Sequence, residues 1–356
     1  MPYSIGLIGC GGIAGTWIDA VAQTPDCQIV MAYDVNAAAA EQRAAQVGAQ
    51  AVAEIDALLE NPAISVVIIG TPTFTHPDLV VAAARAGKHI LCEKAMALNL
   101  AECRRMISAC RDAGVKLAIG HSLRFWGAFR KVRELVAAGA IGEPSVGQIH
   151  RMWPGKPTPA DAPSPSDNPD HWRKETQYSG GNILEGFIHE LDFSRTIFGE
   201  VTSVYFEATG KERYGDFLSP MVLQGFIGYE AGKTATLRMG SLIAMPCSGL
   251  WIGGTKGTVA FDSWDGPVRH YRPEAEEPDV ISCDNTLAYA LELRDLIQAI
   301  ETDGTPENSG ENGLKNVGLG LAMYRSLAAG TRHPFENGLP VGVAEDYQYL
   351  GPTSIR

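Results

Sequence analysis

The sequence has no run of basic residues, no paired cysteine motif and no apolar stretch long enough to cross a bilayer. The first absence removes the electrostatic footprint that a phosphate backbone requires. Acidic side chains number 41 against 29 basic ones, for a formal charge of −12. Nucleic acid is therefore not an expected partner. The seven cysteines (10, 27, 92, 103, 110, 247 and 283) are odd in number, scattered and free of C-x-x-C pairs. That pattern excludes a disulfide framework or zinc ribbon and fits a reducing, cytoplasmic compartment. With no basic n-region and no twin arginine near Met1, neither a signal peptide nor a membrane span is expected.

What is present fits a globular chain of two domains. The 356 residues are 45% apolar and 20% charged, enough to build a core in each. Up to residue 120 the chain alternates. Apolar runs at 4–9, 28–33, 65–70, 89–93 and 115–120 read as strands. Helical patterns lie between them at 13–23, 37–46 and 77–86, and after Asn99. The pair Asn99-x-x-Glu102 is a capping box, and Leu100, Cys103, Met106, Ile107 and Cys110 follow on one face. Strands apolar throughout and alternating with helices predict a doubly wound parallel sheet covered on both faces.

After residue 120 the pattern changes. An amphipathic helix is expected at 128–138, and the six prolines within 154–169 read as an extended loop. Gly180-Gly181 opens a helix running to about Phe198. Closely spaced runs at 201–208, 221–230, 233–240 and 250–261 predict a mostly antiparallel sheet. Helices at about 287–302 and 311–329 close the chain. The expected domains are 1–121 and 122–356, the second of α+β type.

Gly9-Cys10-Gly11-Gly12-Ile13-Ala14 lies between the first strand and the first helix. In this G-x-G-x-x-A fingerprint Gly9 permits the tight turn, and Gly11 lets backbone approach a pyrophosphate. Ala14 lets the helix pack on the sheet. The helix N-terminus offers Gly12 and Ile13 amides to the anion. Asp34 ends the second strand. Its carboxylate can accept both ribose hydroxyls and would repel the 2′-phosphate of NADP, so the expected cofactor is NAD. At ~4 Å and an effective dielectric of ~20 the repulsion is roughly 4 kcal/mol per unit charge. The bland alternative is that Asp34 only caps a helix. No arginine follows closely; the first is Arg43.

Other candidates sit at strand ends, where ligands bind in such sheets. They are Thr71-Pro72-Thr73, His76, and Glu93-Lys94, the last readable equally as a surface ion pair. Glu185, His189 and Asp192 fall at i, i+4 and i+7, on a face apart from Leu184, Ile188 and Leu191. A carboxylate one turn from an imidazole can orient it as a general base. A solvated polar face, or a metal pair at i, i+4, are the alternatives. No third ligand motif supports a metal.

In this order the segments GLIGCGGIA (6–14), GTPTFTHPD (70–78), HILCEKAMA (89–97), GHSLRFW (120–126), AAGAIGEP (137–144), HWRKE (171–175), GGNILEGFIHELD (180–192), GGTKGTV (253–259) and LAMYRSLAAG (321–330) resemble the Gfo/Idh/MocA family of nicotinamide-dependent sugar and polyol oxidoreductases. The resemblance implies a Rossmann domain followed by an α/β domain whose large sheet often forms homodimer or homotetramer interfaces. It implies that Lys94 contacts the nicotinamide ribose and the reacting hydroxyl, and that His189 is the catalytic histidine. Glu185 stands where the family usually has Asp. Arg124, Trp172 and Arg173 fall in segments that line the cleft in relatives, with His121 a further candidate substrate contact. The family's E-K-P is Glu93-Lys94-Ala95 here. Proline fixes φ and makes a cis bond cheap, and alanine does neither.

The expected reaction is oxidation of a secondary hydroxyl on a sugar, sugar derivative or cyclic polyol. His189 would take the proton, oriented by Glu185, and Lys94 would stabilise the developing alkoxide. Two other readings stay open. One is a redox-neutral glycosidase that retains NAD; the other is a non-catalytic nucleotide sensor.

Overall fold

The computed structural model describes residues 3–154, 172, 173, 175–209, 212–214, 217–219, 222–243, 247–284 and 288–351. Beyond Pro154 the expected proline-rich loop lies outside the described residues.

Six parallel strands form the first sheet: β1 (Tyr3–Ile8), β2 (Cys27–Tyr33), β3 (Gln50–Ala51), β4 (Ile64–Ile69), β5 (His89–Cys92) and β6 (Leu117–Ile119). Their spatial order is β3-β2-β1-β4-β5-β6, the arrangement of a dinucleotide-binding doubly wound sheet. The apolar runs explain the burial. Ile5, Leu7, Ile8, Val66–Ile69 and Ile90–Cys92 are all within 1% of complete burial, as strands covered on both faces must be. The helices are α1 (Gly12–Ala22), α2 (Ala37–Val47), α3 (Ile55–Leu59), α4 (His76–Arg85) and α5 (Leu100–Ala113). Asn99 caps α5 by accepting from the Glu102 amide at 2.9 Å, and Gly114 ends it in the left-handed conformation. The order reverses between β1 and β4, which places a crevice at their carboxyl ends.

The second unit is built on a ten-stranded sheet. After α6 (Gly127–Ala137), β7 (Pro144–Pro154) enters its middle, followed by α7 (Thr176–Ser179) and α8 (Ile188–Phe198). The remaining strands are β8 (Val201–Thr209), β9 (Glu212–Tyr214), β10 (Phe217–Ser219), β11 (Val222–Tyr229), β12 (Thr234–Ile243), β13 (Cys247–Gly254), β14 (Thr258–Phe261), β15 (Val268–Tyr271), β16 (Asp279–Ile281), β17 (His333–Glu336) and β18 (Leu339–Pro340). The order is β16-β15-β14-β13-β7-β12-β11-β8-β17-β18, with β9 and β10 as a separate hairpin. Every described pairing in the large sheet is antiparallel except β7 with β12. The run expected as one strand at 250–261 is two strands, β13 and β14. They turn through Thr255-Lys256-Gly257, with the Gly254 amide on the Gly257 carbonyl at 2.9 Å.

The chain then returns. α9 (Ala288–Glu301) joins the core of the first unit, where Leu293 and Leu296 share a cluster with Trp17. Tyr289 meets the Trp17 ring edge-on at 5.0 Å. α10 (Gly310–Ala329) follows. The compact units are Met1–Ser122 with Thr286–Leu314, and Leu123–Asn285 with Lys315–Arg356. A single boundary after residue 121 takes no account of this return. The apolar face that draws α9 back belongs to α1, some 270 residues earlier by sequence number.

Candidate active site

Gly9 has φ +92°, and a β-carbon there would lie 2.8 Å from both the Gly70 carbonyl carbon and Thr71 Cγ2. Glycine is required on both counts. At Gly11 and Gly12 a β-carbon would meet nothing within 4 Å, so the loop borders open space. α1 begins there with Gly11 as its N-cap and no side-chain cap. An uncapped helix start beside open space suits a pyrophosphate. Ala14 is fully buried against the sheet.

Asp34 is anchored to this loop. Its Oδ2 accepts from the Cys10 amide at 2.7 Å and its Oδ1 from the Asn36 amide at 2.8 Å. The N-cap of α2 is Asn36, so capping is not what Asp34 does. Arg43 also reaches the loop, donating to the Gly11 carbonyl at 3.1 Å and the Cys10 carbonyl at 3.4 Å. Sequence reading set Arg43 aside as too distant. α2 carries it back to the loop, and no local signal shows that. Burial, then the Asp34 charge, push the Cys10 thiol up to about 11, which keeps it protonated and unreactive. These residues fit NAD: an open-sided glycine turn for the pyrophosphate and a fixed carboxylate for the ribose.

Glu93 is 7% exposed and is not a surface partner of Lys94. Its Oε1 accepts from the Trp17 indole at 2.9 Å and its Oε2 from the Lys94 amide at 3.2 Å. Trp17 sits on the buried face of α1 and reads in sequence as core. Its partner lies 76 residues on. Burial, then the Glu93 charge, raise the Tyr289 phenol to about 12. The Lys94–Ala95 peptide bond is cis.

His76 is fully buried between two carbonyls, with Nδ1 2.9 Å from Ala95 O and Nε2 2.9 Å from Thr71 O. It ties the loop after β4 to the loop after β5. Thr75 Oγ1 bonds Thr71 Oγ1 and the Pro72 carbonyl, each at 2.7 Å, and Thr73 is buried. His121 is buried in this unit as well.

In the second unit the expected helix from Gly180 is interrupted. Ile183–Phe187 winds as a π turn before α8 begins. From Phe187 to Arg195, His189 alone is not buried. Glu190, Asp192, Ser194 and Arg195 are all interior, which rules out a solvated polar face. Glu185 Oε1 accepts from Arg173 Nε at 2.8 Å, and the Arg173 guanidinium lies 4.8 Å from the Trp172 ring. Arg173, Trp172 and Glu185 are thus one cluster.

Arg124 is tied elsewhere. Its Nε and one terminal nitrogen each reach Asp192 at 2.6 Å, and the Asn316 amide donates to Asp192 Oδ1 at 2.7 Å. Exposure is 8% for the Arg124 side chain and 0% for Asp192. Removing one member strands the other in the interior. Asp192→Ala is expected to lower stability by about 3–5 kcal/mol, measured by urea unfolding. A loss under about 1 kcal/mol would show that the bidentate pair is not a structural tie.

Comparisons with known proteins fall on these two units. Residues 3–121 match the model described as "Oxidoreductase family, NAD-binding Rossmann fold", and residues 129–260 match the GFO/IDH/MocA C-terminal domain. An inositol 2-dehydrogenase of Rhizobium meliloti (strain 1021) is 32% identical, over 92% of this chain and 98% of its own. A 1,5-anhydro-D-fructose reductase of Ensifer adhaerens is 28% identical, over 94% and 99% respectively. The aldose-aldose oxidoreductase of Caulobacter crescentus shares the fold with a TM-score of 0.82 at 24% identity, over 94% and 100%. Matched by both family models and by a relative 32% identical over nearly its full length, the chain belongs to the Gfo/Idh/MocA family of oxidoreductases, with an NAD-binding Rossmann domain at its N-terminus.

Proposed function

We propose that the protein oxidises a secondary hydroxyl of a sugar, sugar derivative or cyclic polyol, with NAD as cofactor. NAD, when bound, supplies the hydride acceptor. The glycine loop and Asp34 hold its pyrophosphate and adenosine ribose, and Thr71, Pro72, Thr73 and Glu93 shape the strand ends around it. His189 accepts the hydroxyl proton, and Lys94 offsets the negative charge growing on the carbinol oxygen. Glu185, paired with Arg173, adjusts the position and basicity of the imidazole. Trp172 offers a flat apolar face to the C–H side of a sugar ring. Arg124 acts through Asp192, and His121 supports the loop after β6.

The observation that carries this reading is the accessibility of His189 alone along an otherwise buried stretch. α8 opens only at His189 and at Thr196, whose hydroxyl donates to the Phe193 carbonyl, so His189 is its one accessible proton-transfer group, as an active-site wall requires. That the named relatives are an inositol dehydrogenase and an anhydrofructose reductase supports the substrate class. No helix among the described residues is long and apolar enough to cross a membrane. A cytoplasmic location and a homodimer or homotetramer complete the proposal. Phe226, 54% exposed on the large sheet, and Val146, 42% exposed, support an assembly through that face.

The test is purified protein with NAD and a panel of inositols, aldoses, anhydrosugars and glycosides, following NADH and product together. NADH and a ketone product are expected in equal amounts. Product formed from a glycoside with no net NADH would favour the redox-neutral reading. No NADH and no product with any compound would end the enzymatic one.

A further inference from the structure

The π turn at Ile183–Phe187 lies directly before the helical turn that carries His189. In a π turn the backbone bonds run i→i+5, so one extra residue is inserted and the following side chains change direction. Such a turn persists only where its surroundings hold it. At its start Tyr324 does so: the phenol donates to the Gly180 carbonyl at 2.9 Å and accepts from the Ile183 amide at 3.0 Å. Tyr349 stacks on it at 3.6 Å.

At its end stands Arg151, towards the C-terminal end of β7. Its guanidinium donates to the Gly186 carbonyl. The same group pairs with Glu190, with Nε 2.8 Å from Oε1 and a terminal nitrogen 3.2 Å from Oε2. Trp264 backs the guanidinium at 5.3 Å. Gly186 is three residues before His189, and Glu190 is the residue after it. Glu190 is 1% exposed, so this is not a surface pair of the weak kind. A planar fork can hold a carbonyl and a carboxylate at once; an ammonium cannot with the same geometry.

We infer that Arg151 is a positioning residue for His189, fixing the backbone on both sides of the imidazole through Gly186 and Glu190. The inference rests on His189 being the proton acceptor. A displacement of that imidazole by about 1 Å would cost on the order of 10²-fold in rate. A pair that only stabilised the fold would leave the register of the turn alone.

The test compares Arg151→Met, Arg151→Lys and His189→Ala, with crystal structures of both Arg151 variants and turnover of whichever panel compound the wild type oxidises. Arg151→Met should lower kcat by about 10- to 100-fold with KM for NAD within about twofold of wild type. Its structure should show the Ile183–Phe187 turn rewound and His189 displaced. Arg151→Lys should recover part of the rate, and it carries the test should the methionine variant not fold. Unaltered kcat in the Arg151 variants while His189→Ala is inactive would overturn the inference. So would an unmoved π turn and imidazole in their structures. A fully active His189→Ala would instead remove the reading beneath it.

Discussion

His189→Ala is expected to lower kcat/KM by about 10²–10⁴-fold, the usual worth of a positioned general base. The residue is half-buried at the start of α8, and the neighbours on both sides of it in the chain are buried. Alanine removes the proton acceptor and leaves that packing in place, so the loss should fall on kcat and not on stability. KM for NAD should change little, because the glycine loop and Asp34 belong to the first unit. Added imidazole should restore part of the rate by entering the vacated volume. An unchanged kcat/KM would remove His189 from the mechanism.

Asp34→Ala is expected to erode the preference for NAD over NADP by up to about a thousandfold. The figure follows from roughly 4 kcal/mol of repulsion per unit charge on the 2′-phosphate at ~4 Å, with each 1.4 kcal/mol worth a factor of ten. The geometry makes that carboxylate a fixed charge. Two backbone amides, of Cys10 and Asn36, hold one oxygen each, so it cannot swing away from an incoming phosphate. Arg43 on the Cys10 and Gly11 carbonyls adds a cation that the alanine variant would leave unopposed. Affinity for NAD should also fall, since the ribose loses its acceptor. Asp34→Asn should relax the preference while keeping more of the NAD affinity. An unaltered ratio of kcat/KM for the two cofactors in Asp34→Ala would assign cofactor choice to other groups.

The first unit was legible because its signals are local. Val66–Ile69 is apolar on both faces, Asn99 caps with Glu102 behind it, and Gly9 and Asp34 mark the ends of strands. β3 and α3, of two and five residues, are too short to show a period. In the second unit β7 escaped notice. Residues 147–151 mix Gly, Gln, Ile, His and Arg, since Arg151 is drawn inward by Glu190 and Gly186. The π turn cannot be read from spacing, as Glu185 and His189 stand at i, i+4 whether the turn is α or π. A solvated face is one reading of Glu185, His189 and Asp192, because spacing alone does not show that the polar residues of α8 are buried. They are interior because Asp192 and Glu190 find Arg124 and Arg151, which lie 68 and 39 residues away. Trp17 under Glu93 and Arg43 under the glycine loop escaped for the same reason. Each is defined by a partner far off in the chain.

The central claim is that a carbinol hydrogen passes to NAD while His189 takes the hydroxyl proton. It is tested most directly with the oxidised panel compound carrying deuterium at the reacting carbon. The reduced cofactor is then isolated and analysed by mass spectrometry and proton NMR. The account predicts one deuterium at nicotinamide C4, on one face, for every ketone formed. Ketone formed with unlabelled NADH, or with the deuterium lost to solvent, would contradict it.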